Sequence, residues 1–131
     1  MPRRSVRPVE AFWFVLPAER KLPAEEQSRF KFRPLSQAER MRAMDNIESV
    51  TIEATGERQL RFRSFQQARE TVILTLLETQ NFPIDGAQPY DPTAPREDRE
   101  KYLELLDDND VYALGDHVFD HSTLGTDAKN S

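Results

Sequence analysis

The chain has 131 residues, 37% hydrophobic and 31% charged, which supplies one small core and is too little for two independently cored domains. Eighteen Lys and Arg against 23 Asp and Glu give a formal charge of −5, which argues against a dedicated nucleic-acid or anionic-surface binder. Without cysteine the sequence has no disulfide, thiolate zinc site or cysteine nucleophile, and a reducing compartment stays open.

Phe12 to Leu16 is too short for a signal-peptide core or a membrane span, and Glu10 and Glu19 flank it, so the expectation is a soluble cytosolic protein. The same apolar stretch, Ala11 to Leu16, is aromatic and reads as a strand. Ser28 to Arg33 alternates basic residues with Phe30 and Phe32 and reads as a second. The charged connection between them holds Pro17 and Pro23 and is expected to be exposed and mobile.

Ser36 and Glu39 have capping-box spacing and predict a short helix with Ala38, Met41 and Met44 as its apolar stripe. A hairpin follows, turning at Thr55-Gly56-Glu57. Period two puts Val50, Ile52, Leu60 and Phe62 on one face and sends Arg61 and Arg63 the other way. Ser64 and Gln67 repeat the capping spacing, and Ala68, Val72, Ile73, Leu76 and Leu77 predict an amphipathic helix of about four turns ending near Asn81.

Residues 83–95 hold four of the nine prolines and read as a linker. Beyond it, Tyr102 to Leu106 mark one helix starting near Pro95 or Arg96, and Val111, Leu114 and Val118 mark another. Asp107 and Asp108 stand badly for the dipole at the end of the first. Charge divides unevenly: residues 1–83 carry 14 basic and 11 acidic side chains, net +3, and residues 84–131 carry 4 and 12, net −8. The expected organisation is a mixed α/β core over residues 1–83, a Pro-rich linker at 84–98, an acidic helical segment at 99–124 and a flexible tail at 125–131. The fold class is α+β, a small antiparallel sheet packed by an amphipathic helix with a C-terminal helical extension.

Chemical motifs are few. His117 and His121 are four apart with Asp116 and Asp120 beside them, but no third histidine or cysteine completes a metal site, and a polar helix face is the simpler reading. Asp107-Asp108-Asn109-Asp110 fails the glycine and glutamate positions of a calcium loop. No G-x-S-x-G, G-x-G-x-x-G or G-x-x-x-x-G-K occurs, so neither an enzyme nor a cofactor is expected. The arginines interleaved with Phe30, Phe32, Leu60 and Phe62 could line a nucleic-acid surface, but half-buried strands with solvated arginines account for them. If basic sheet faces and the acidic segment meet, within one subunit or between copies, opposite charge would guide the assembly.

Phe30-Lys31-Phe32-Arg33-Pro34-Leu35-Ser36, followed by Glu39-Arg40, resembles the phage tail assembly chaperone family of long-tailed bacteriophages and prophages. The aromatic start, the hairpin, the amphipathic helix, the segment Ile84 to Tyr90, Leu103 to Asp107 and the terminal Lys129-Asn130-Ser131 are similar in order. The long Leu16 to Gln27 connection and the lack of a tryptophan near Phe82 depart from the pattern. The resemblance implies a non-catalytic protein of the bacterial host cytoplasm that binds the tape measure protein during virion assembly and is absent from the mature virion. Other copies of itself and the major tail protein are further partners, with no nucleic acid and no membrane; the alternative is a head–tail or tail adaptor retained in the virion. Large aromatics and arginines anchor interfaces, which selects Trp13, Phe14, Arg61, Arg63, Tyr112 and Phe119 as candidate protein contacts.

Overall fold

The computed structural model describes residues 10–82 and 89–130, with side chains of the final helix described as far as Thr123. The fold is α+β. Strands β1 (Phe12–Val15) and β2 (Arg29–Phe32) pair antiparallel, with Phe12 opposite Phe32 and Phe14 opposite Phe30, so four phenylalanines share one face. Phe30 and Phe32 are fully buried there. Trp13 and Lys31 pair on the opposite face, the Lys31 ammonium 5.7 Å from the Trp13 ring centroid. The exposed connection between these strands is organised by its own polar groups: Glu19 accepts from the Ser28 amide at 2.6 Å, and the Gln27 amide group donates to the Arg20 and Leu22 carbonyls.

Helix α1 (Gln37–Ala43) starts with the capping box that the sequence predicts: Ser36 Oγ accepts from Glu39 N at 3.2 Å and Glu39 Oε1 accepts from Ser36 N at 2.8 Å. Arg33 grips the same carboxylate through both terminal nitrogens, at 2.9 and 2.8 Å. The expected apolar stripe is corrected. Met41 and Met44 are 67% and 54% exposed, and it is Ala43 and the preceding Leu35 that are buried. The helix has only seven residues before it tightens into a 3₁₀ turn, too few to carry a continuous stripe.

The hairpin consists of β3 (Ile47–Thr51) and β4 (Arg58–Phe62), and Gly56 in its connection has φ +72°, the left-handed region. Its register corrects the expected faces. Ile47 lies opposite Phe62, Ser49 opposite Leu60 and Val50 opposite Gln59, so Val50 shares the face of Arg61 and Glu48 rather than that of Leu60 and Phe62. Ile47 takes the core position assigned to Val50, and Ile52 lies beyond the strand.

Helix α2 (Phe65–Thr75) stops six residues before Asn81. Leu76 turns extended at ψ 127°, and the chain continues without a loop into strand β5 (Leu76–Gln80). β5 pairs with β2 and makes β2 the centre of the order β1-β2-β5. Two threonines prepare the break: Thr71 Oγ1 and Thr75 Oγ1 donate back to the Gln67 and Thr71 carbonyls, an arrangement that loosens a helix. Leu76 and Thr79 then face the core beside Phe32 and Phe30. The predicted cap at Ser64 is also corrected. Ser64 is the N-cap residue, but its side chain makes no capping bond.

Pro95 precedes α3 (Arg96–Leu103), as expected, and α4 spans Asp108–Asn130, continuing through residues expected as a tail. Asp107 lies beyond the end of α3, and its carboxylate accepts from Asn109 N at 3.2 Å, which turns a misplaced charge into a favourable one at the start of α4. One hydrophobic cluster joins Phe14, Phe30, Phe32, Ala68, Val72 and Leu76 to Leu103, Val111, Leu114, Val118 and Phe119. Full burial of each large side chain contributes about 1.5–3 kcal/mol. The C-terminal helix is therefore part of the core, and the division expected at residue 83 is not a break in packing. Gly115 sets the approach of α4 to α2: a Cβ there would meet Ala68 O at 2.8 Å. Ser122 ties α4 to the chain before α1, its buried hydroxyl accepting from Leu35 N at 2.9 Å and donating to the Val118 carbonyl.

Candidate protein-interaction surfaces

Two surfaces among the described residues hold the exposed candidate contacts. The first is the outward face of the three-stranded sheet, where Trp13 is 39% exposed beside Lys31, with Val15 and Arg29 forming the next cross-strand pair and Glu78 lying opposite Lys31 on β5. Alternation puts these residues there, because their neighbours Phe14, Phe30 and Thr79 point into the core.

The second is a groove of about 760 Å³ between the hairpin, α4 and the turn that follows β1. Phe14, Leu60 and Tyr112 supply apolar surface, and Arg20, Arg61 and Arg63 stand around it. The Arg20 guanidinium lies 5.5 Å from the Phe14 ring centroid. Arg61 donates to Gln59 Oε1 at 3.1 Å, and Arg63 Nε is 4.0 Å from Glu48. Asp116 reaches across from α4 and accepts from Phe62 N at 2.8 Å, tying the hairpin to the helix. Burial pushes its carboxyl up to about 6, against the pull of the Phe62 amide and Arg61, with Asp120 adding to the rise.

The histidines behave as packing groups. His117 stacks on Phe14 with ring centroids 3.9 Å apart, His121 stacks on Phe12 at the same separation, and the two imidazoles are 6.0 Å apart. Among the described residues no three His, Asp or Glu side chains are grouped to hold a metal ion, and no helix is long and apolar enough to cross a membrane.

Of the six candidate contacts, Phe14, Arg61, Arg63 and Tyr112 meet at the groove, Trp13 is on the other surface and Phe119 is not exposed. Phe119 lies under the groove, edge-on to Phe62 with centroids 5.7 Å apart, and Phe14 is 7% exposed, so these two shape the groove from beneath. Tyr112 also packs edge-on against Phe65. Sequence reasoning missed Arg20, which sits in an irregular turn with no periodic signal, and the bond from Asp116 to the hairpin, which joins residues 54 positions apart. Of the segment Ile84 to Tyr90, only Pro89 and Tyr90 fall within the described residues, and the terminal Lys129-Asn130-Ser131 lies outside the described side chains. No family model, curated protein or solved structure matches the chain.

Proposed function

We propose that this chain is a non-catalytic tail assembly chaperone of a long-tailed phage or prophage, holding the tape measure protein in the host cytoplasm before the tail polymerises around it. The observation that carries the reading is the outward sheet face, which among the described residues presents a part-exposed tryptophan flanked by Val15, Lys31 and Arg29 on the β1–β2 pair. A long helical client offers apolar stripes that need temporary cover, and a flat face with an aromatic anchor and a charged border suits that task. The resemblance around Phe30 to Ser36 names the client. In this reading the same strand pair presents Phe30 and Phe32 to the core and Trp13 to the partner.

Co-expression with a tape measure protein of a long-tailed phage, taken from the same genome as this chain, tests the proposal. The expected result is a soluble client that co-purifies, with Trp13→Ala lowering the yield of complex about tenfold while the circular dichroism stays unchanged. A client that stays insoluble beside a folded chain, or this chain persisting in purified virions, overturns it.

A further inference from the structure

Among the described residues, five of the six ion pairs lie outside the groove, and the sixth, Arg63 with Glu48, lies in it. Arg69 pairs with Glu100, Arg96 with Glu70 and Glu100, Lys101 with Glu97, and Arg33 with Glu39. Arg20 and Arg61 in the groove have no carboxylate at ion-pair distance among the described residues, and Glu104, Asp107 and Asp108 at the junction have no Lys or Arg at that distance. Three carboxylates share the groove with its three arginines: Glu48 faces Arg63, Asp116 accepts the Phe62 amide and feels the Arg61 charge, and Asp120 lines the edge. In the middle of the acidic junction Leu105 is 56% exposed, and the groove supplies apolar surface at Leu60 and Tyr112.

We infer that the arginine groove is a self-association site: it receives the α3–α4 junction of a second copy, with Glu104, Asp107 and Asp108 against Arg20 and Arg61 and Leu105 against Leu60 and Tyr112. The two halves of the contact adjoin on one subunit, because Asn109, directly after Asp107 and Asp108, lines the groove itself. That adjacency suits a two-fold axis that joins both contacts at once, and the expected product is a closed dimer rather than an open chain. Opposite charge sets the register and speeds encounter, and the buried leucine holds the pair. The inference concerns this chain alone and needs no client, so it stands or falls separately from the chaperone reading.

Sedimentation equilibrium of the purified full chain tests it, at salt from about 0.01 M, where charges act over about 30 Å, to about 1 M, where they act over about 3 Å. The expected result is a dimer that dissociates as salt rises. Arg20→Glu with Arg61→Glu, Arg61→Glu alone, and Glu104→Arg with Asp108→Arg should each raise the dimer Kd about tenfold or more, with each variant still folded by circular dichroism. Mixing the groove double variant with the junction double variant should restore a one-to-one heterodimer, since both contacts then join opposite charges. That gain cannot come from an unfolded variant. A monomer throughout, a dimer indifferent to salt and to the reversals, or folded variants that fail to pair on mixing would each overturn the inference.

Discussion

At Ser36 a serine hydroxyl and a glutamate three residues on exchange both bonds of a capping box, and Arg33, directly after β2, braces the carboxylate. At Ser64 a serine and a glutamine stand at the same spacing, yet the serine side chain caps nothing. The second helix start is held by packing instead, with Phe65 edge-on to Tyr112 and Ala68 pressed against Gly115. Similar letters therefore carry different loads. α1 is short and mostly exposed, so it depends on polar bonds at its first turn, whereas α2 is fixed by the helix lying across it.

Breaking the packed side of the comparison should cost most. Gly115→Val places branched carbon where Ala68 O already stands 2.8 Å from a single Cβ, and a loss of about 3 kcal/mol or more in urea unfolding is expected. Ser122→Ala, which removes the bond between α4 and Leu35 N, should cost about 1–3 kcal/mol in the same assay. Ser36→Ala should cost about 1 kcal/mol, and Ser64→Ala should stay within about 0.5 kcal/mol; equal losses at the two serines would erase the distinction drawn above.

Smaller shifts with pH sharpen the contrast. The Arg33 hydrogen bonds hold the Glu39 carboxyl down to about 2, so its contribution is present above the ordinary carboxylate range and is lost as pH falls from about 4.5 towards 2. Asp116 runs the other way. Its carboxyl, pushed up to about 6, holds its proton more tightly in the folded chain, so its contribution is greatest below about 3.8 and declines as pH rises to about 6. Solvent screening keeps both effects modest. Thermal melts across these windows should show Glu39→Gln flattening the acid limb and Asp116→Asn flattening the fall in stability from pH 4 to 6; unchanged slopes would contradict the assignments.

What the sequence disclosed follows the same division between local and distant causes. The Ser36 cap was legible because all its partners lie within seven residues, and the alternating phenylalanines of β1 and β2 announced a shared face because strand periodicity is local. β5 was hidden because Leu76 and Leu77 continue a helical stripe as readily as they begin a strand, and only pairing with β2 decides between them. The hairpin faces were misread because alternation leaves the cross-strand register open, and the pairing of Ile47 with Phe62 settles it. At the groove, Arg61 and Arg63 emerged from alternation, whereas Arg20 arrives through a turn and Asp116 through a contact between distant segments.

The passage from α2 to β5 without an intervening loop makes this stretch intolerant of length change. One residue inserted near Thr75 would turn the preceding helix by about 100° against α4 if the strand kept its place, or exchange the two faces of the strand if the helix kept its own. Helix and strand thus share one uninterrupted stretch with two periodicities, and viable length variants should cluster in the Pro17–Gln27 connection rather than here.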